Sequence, residues 1–220
     1  MYLLEDPTIL IKNNNDNLIS QFLEQSLKHF YKELDAFCFR NQNRNFHEWF
    51  SESGYLSMFI NGIIRNDTNN EFSAVQEYCV ANLDTGGSGR CDGFIEFNKN
   101  VILIEAKKQK FKGLINSEHF NLEKWLSWDR DEIQVQLKDY LASEKHFFQE
   151  EGRYNNCYLM TVVFKIVKEN KANHITKAKK ELLIDETFSN RVWYYSNCFF
   201  KDDPNESSFG IEVYGSIEHQ

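Results

Sequence analysis

The stretch GRCDGFIEFNKNVILIEAKK, residues 89–108, carries two apolar runs, 92–97 and 101–107, separated by Asn98-Lys99-Asn100. Turn formers between two short apolar runs predict a β-hairpin. Asp92, Glu105 and Lys107 lie inside those runs. Charges at such positions are rarely buried unless they are paired or hold a metal. An even-length loop centred on Asn98-Lys99 pairs Phe97 with Asn100 and Ile95 with Ile102, which sets Asp92 directly opposite Glu105. Lys107, two residues on, projects from the same face. A one-residue slip would send Asp92 to the other side.

Two carboxylates about 5 Å apart across a strand pair repel when both are ionised, so they share a proton or bind a cation. Mg²⁺ or Mn²⁺ suits such oxygen ligands, and Mg²⁺ commonly binds through one or two carboxylates plus substrate phosphate. An ammonium alongside could orient or deprotonate the attacking water, or stabilise charge on the phosphate. That is equipment for metal-assisted phosphodiester hydrolysis. The competing reading is a hairpin whose charges are simply solvated.

Working outward, apolar residues recur at three- and four-residue steps over 16–40 and again from about Phe46 to Arg65, which predicts two helices. A strand is predicted at 71–82, followed by the glycine-rich loop LDTGGSGR (83–90) and the hairpin. A long helix follows at about 119–148, and CYLMTVVFKIV (157–167) reads as a fully buried central strand. A short helix near 174–184 and strands near 191–200 and 209–214 complete the chain. Both faces of the hairpin are apolar, with Phe94 and Leu103 on one and Ile95, Ile102 and Ile104 on the other. The expected class is therefore α/β, a sheet flanked by helices in the order α-α-β-β-β-α-β with a C-terminal extension.

The length of 220 residues suits a single domain, 1–220, divided into an N-terminal helical segment (1–45), a core (46–167) and a C-terminal α/β extension (168–220). The N-terminus lacks the pattern of a signal peptide, and no apolar run approaches the roughly 18 residues that span a bilayer. Five scattered cysteines without a CxxC pair fit a reducing cytoplasm, the expected location, better than a disulfide framework or a zinc site. Six dispersed histidines without HxxxH spacing make a His-based metal site an unfavoured reading. A net charge of −8 means that any nucleic-acid binding needs a local basic patch working against the global field.

At Asp92, Glu105 and Lys107, read within CDG and IEAKK, the sequence resembles the PD-(D/E)XK nuclease superfamily, the restriction-endonuclease-like fold. The match covers about residues 46–167. The resemblance implies a three-layer sandwich with a central mixed sheet, and a Mg²⁺- or Mn²⁺-dependent nuclease whose expected substrate is DNA. It puts the metal on Asp92, Glu105 and the main-chain carbonyl of Ala106, with Lys107 serving the attacking water. Cys91 stands where the motif nominally has proline, a position that varies widely in such enzymes. Many members add a helix glutamate. Glu52, which lies along the inward stripe, is preferred over Glu48 for that part. Some exonuclease-like branches carry Gln-x-x-x-Tyr on the following helix, supplied here by Gln136 and Tyr140 as substrate-positioning residues. A catalytically inactive scaffold or regulatory subunit of the same fold is the alternative.

The run KKQKFK (107–112) follows the acid-bearing strand directly. Lys108, Lys110 and Lys112, together with Arg90, are the candidate phosphate contacts. GGSG (86–89) lacks the Gly-Lys-Ser/Thr of a P-loop, so nucleotide-triphosphatase activity is not supported. No helix-turn-helix or zinc finger is visible. Specificity would then come from loops, the extension or a partner subunit, and a homodimer would be a natural way to cut both strands. No membrane partner is expected.

Overall fold

The structure is a computed structural model that describes residues 4–12, 17–41, 51–65, 72–81, 88–109, 154–168, 191–199 and 209–220. Its elements run β1 (Thr8–Lys12), α1 (Asn17–Asn41), α2 (Glu52–Arg65), β2 (Phe72–Ala81), β3 (Ser88–Phe97), β4 (Asn100–Gln109), β5 (Asn156–Lys168), β6 (Arg191–Phe199) and β7 (Phe209–His219). The described strands form one mixed sheet in the order β1-β6-β7-β5-β4-β3-β2. Only β4 and β5 are parallel, and every other neighbouring pair is antiparallel.

The hairpin of β3 and β4 turns through Asn98 and Lys99, both with positive φ (47° and 59°). Two left-handed residues in a two-residue loop are the turn whose twist matches that of the flanking strands. Asn tolerates this conformation better than Lys, for which it costs about 1–2 kcal/mol. The turn is braced from β5's side, where the Asn155 N–H donates to the Lys99 carbonyl at 2.7 Å. The resulting pairs, Phe97 with Asn100 and Ile95 with Ile102, are those the apolar pattern requires.

Helices α1 and α2 cover one face. Ile19, Phe22, Leu23, Leu27, Phe30 and Leu34 form the buried stripe of α1, and Tyr55, Leu56, Phe59, Ile60 and Ile63 that of α2. Phe22 stacks on Phe97 of β3 at 5.0 Å, and Tyr55 stacks on Phe164 of β5 at 5.3 Å. Each fully buried aromatic of this kind contributes about 1.5–3 kcal/mol, so these contacts fix both helices on the hairpin and central strand. The opposite face carries its own buried cluster of Cys91, Phe94, Val101, Leu103 and Leu159.

The observed order differs from the expected one. A strand, β1, precedes the first helix and pairs with β6 at the far edge, so 1–45 is not helical throughout. Of the second helix expected from about Phe46 to Arg65, the described helix covers Glu52–Arg65, and 46–50 lie outside the described residues. Ser51 is non-helical and caps it, its hydroxyl accepting the Gly54 N–H at 3.2 Å. The strands of 168–220 are no appendage either: β7 lies between β5 and β6, which makes β5 the middle strand of seven. The helices expected at 119–148 and 174–184 lie outside the described residues. No helix among the described residues is long and apolar enough to cross a membrane.

Candidate active site

The α2 N-terminus and the C-terminal half of β4 meet beside Asp92 of β3. The middle of α2 packs closely on β3: a Cβ at Gly93 would lie 3.3 Å from the Ile60 Cδ1 of α2 and 3.4 Å from the Ile104 Cβ of β4, a tight fit that asks a few tenths of an ångström of the Ile60 side chain.

Asp92, Glu105, Lys107 and Glu52 converge at this point. The β3–β4 ladder ends at Gly93–Ile104, one pair before the Asp92–Glu105 position. Asp92 instead directs its Oδ2 to the main-chain N–H of Ala106, at 2.9 Å. Glu105 accepts from the Lys107 ammonium at 2.6 Å. Glu52, the first residue of α2, reaches across with Oε2 to the N–H of Lys108, also at 2.6 Å. The carboxylates of two elements are thus tied to alternate amides of β4, those of Ala106 and Lys108, on either side of Lys107.

The electrostatics follow from burial. Glu105 is only 5% exposed. Loss of solvent, aided by the charge of Asp92 and opposed by Lys107, pushes its carboxyl up to about 7. Burial works against the Lys107 ammonium, but the Glu105 hydrogen bond and the charges of Glu105, Glu52 and Asp92 outweigh it and raise its pKa. Lys107 therefore remains a cation, while Glu105 is poised to lose or gain a proton near neutrality. Its side chain is 41% exposed and Glu105's only 6%, so the ammonium forms the outer lip of the site. Three carboxylates facing one ammonium leave the site short of positive charge.

Ala106, proposed from sequence as a carbonyl ligand, is buried, and its N–H is the group that orients Asp92. The Lys108 ammonium lies 5.7 Å from the centre of the Tyr55 ring. Arg90 occupies β3 opposite Cys79. Glu48, Lys110, Lys112, Gln136 and Tyr140 lie outside the described residues. Among the described residues, no three His, Cys, Asp or Glu side chains already form a metal-holding group.

Sequence reasoning marked Cys91 only as the residue in the motif's proline position and gave its thiol no part. Its thiol is buried and donates to the carbonyls of Gly93 and Ile104, both at 3.1 Å. Burial pushes this thiol up to about 12, so it stays protonated and serves as a donor. The odd cysteine spacing carried no hint of this. Gln76, whose amide donates to the carbonyl of Ser53 at 3.1 Å, ties β2 to the first turn of α2 and was equally unmarked.

No family model, curated protein or solved structure matches the chain.

Proposed function

We propose that the protein is a divalent-metal-dependent nuclease that hydrolyses phosphodiester bonds, with DNA as substrate. The observation that carries this reading is the gathering of Asp92, Glu105 and Glu52 around β4 residues 105–108, with Lys107 the ammonium among them. Hard oxygen donors with a deficit of positive charge and a carboxyl made reluctant to ionise by burial, with the Asp92 charge adding to it, suit Mg²⁺ or Mn²⁺. Asp92 and Glu105 would hold the ion, with Glu52 and the Ala106 carbonyl as further oxygen donors. Bound there, the cation supplies Lewis-acid stabilisation of the phosphate and acidifies water.

The chain's own residues do the rest. The Ala106 N–H holds the Asp92 carboxylate in one orientation. Lys107, charged and half-exposed, orients the attacking water or neutralises charge that builds on the phosphate. Lys108 extends the positive lip, with Arg90, Lys110 and Lys112 as further phosphate contacts and Gln136 and Tyr140 as positioning residues. A homodimer or a partner subunit would supply the second cut or the specificity.

Cleavage of plasmid DNA with Mg²⁺ tests the reading. Asp92→Ala and Lys107→Ala should each lower the rate by at least roughly a hundredfold, the size of loss seen when one transition-state contact is removed. Cleavage that survives both substitutions overturns it. The net charge of −8 favours a second reading, an inactive nuclease-fold scaffold or regulatory subunit. Calorimetry separates the two, since a scaffold takes up no divalent ion at millimolar concentration.

A further inference from the structure

Three non-glycine residues among those described have positive φ. Asn98 and Lys99 form the hairpin turn, but Glu77 (φ 60°) lies inside strand β2. This backbone region is sparsely populated for a residue with a Cβ, and it persists only where the surroundings impose it.

The position of Glu77 gives the strain a purpose. In the β2–β3 pairing, Gln76 faces Gly93 and Tyr78 faces Cys91, while the intervening Glu77–Asp92 pair is missing. On its other side Asp92 lies one step beyond the last β3–β4 pair. Asp92 therefore stands at a gap in both ladders. Cys91 and Phe94, three residues apart, share one buried cluster, although strict alternation would place them on opposite faces. The strand is turned between them. In an unbroken ladder the Asp92 side chain would stand perpendicular to the sheet. It could not then fold into the sheet plane to accept the N–H of Ala106, as it does at 2.9 Å. Gln76, the residue before the break, is held by α2, with hydrogen bonds to the Ser57 hydroxyl and the Ser53 carbonyl. The helix that carries Glu52 thus anchors the distortion.

We propose that Glu77 is a positioning residue: its left-handed backbone opens the β2–β3 ladder at Asp92 and so turns that carboxylate onto the Ala106 amide. The inference deepens the nuclease reading and rests on it for the importance of Asp92. The role lies in the main chain of residue 77, not in its carboxylate.

Hydrogen exchange at the Ala106 amide, followed by NMR on the metal-free protein, reads this bond directly. Asp92→Ala sets the exchange rate of the lost bond. Glu77→Val, whose branched Cβ resists positive φ, should bring Ala106 at least about tenfold closer to that rate, the equivalent of one strained residue. Glu77→Gly, which accepts positive φ freely, should keep wild-type protection. Wild-type protection in folded Glu77→Val overturns the proposal. Should Glu77→Val fail to fold, Glu77→Ala carries the test, since it deletes the side chain's contacts but keeps the backbone preference. Protection lost in both Glu77→Ala and Glu77→Gly would assign the effect to the carboxylate and also overturn the proposal. Calorimetry with Mn²⁺ runs separately. Wild-type protein that takes up no Mn²⁺ but shows the Ala106 pattern removes the metal site and leaves the positioning role standing.

Discussion

Replacing Glu105 by glutamine should stabilise the metal-free protein at alkaline pH. The carboxyl is 5% exposed, and desolvation carries it from an ordinary 4.5 to about 7 in the fold. A rise of that size corresponds to about 3 kcal/mol by which the folded state prefers the neutral group. The sign is that of a raised acid: the preference is fully expressed below 4.5 and is lost as pH climbs through 7. Wild type therefore gives up this increment between those two values, and Glu105→Gln, which mimics the protonated group, does not. Urea unfolding of both proteins in a chelator should show a near-zero difference at pH 4.5, widening to about 3 kcal/mol in favour of the variant at pH 8. In thermal unfolding the same gap is roughly 6–12 °C for a chain of this size. On the proposed metal site, saturating Mg²⁺ should then narrow the gap, because ligand at a hundred times its dissociation constant stabilises by about 2.7 kcal/mol and only wild type keeps both proposed carboxylate ligands. A variant no more stable than wild type at pH 8, or one with the same offset at both pH values, would refute the reasoning that burial and Asp92 make the Glu105 charge costly.

Two further substitutions probe the frame. Glu52→Ala removes the acid from the first turn of α2 and leaves the Lys108 N–H without its carboxylate. It should cost about 1–2 kcal/mol in urea unfolding and weaken Mn²⁺ binding at least about tenfold by calorimetry. Gly215→Ala would drive a methyl group into the Thr161 carbonyl and to 2.8 Å from the Tyr194 hydroxyl, which itself bonds that carbonyl. About 3 kcal/mol of destabilisation is expected, read as a lower urea midpoint with unchanged slope.

The parts of the molecule that were legible in sequence are those set by local pattern. The helical stripes of 17–41 and 52–65 and the hairpin register each follow from spacing within one or two elements. A two-residue turn fixes register because it leaves the flanking apolar runs only one way to share a face. That register carried Asp92, Glu105 and Lys107 toward one another, and the inward stripe carried Glu52 to the same place. The half-buried β1 offers too short a run to stand out, and its strand state is conferred by pairing with β6, about 185 residues later in sequence. The insertion of β7 beside β5 is likewise a long-range choice, and alternation along β7 itself is silent about its neighbours. The break at Glu77 was hidden because nothing in a glutamate announces positive φ. The Cys91 thiol was hidden because a buried donor and an inert core thiol look alike in a string of letters.

The place of β7 sets a timetable for the growing polypeptide. This strand leaves the ribosome after the other six, yet it bonds to both β5 and β6 along its length. Until it arrives, the hairpin half and the β1–β6 half have no shared border, and each presents a bare row of amide and carbonyl groups to other nascent chains. Closure of the sheet is thus a late event in biosynthesis, and the length of time for which those borders stay open is set by the rate of elongation through residues 169–219.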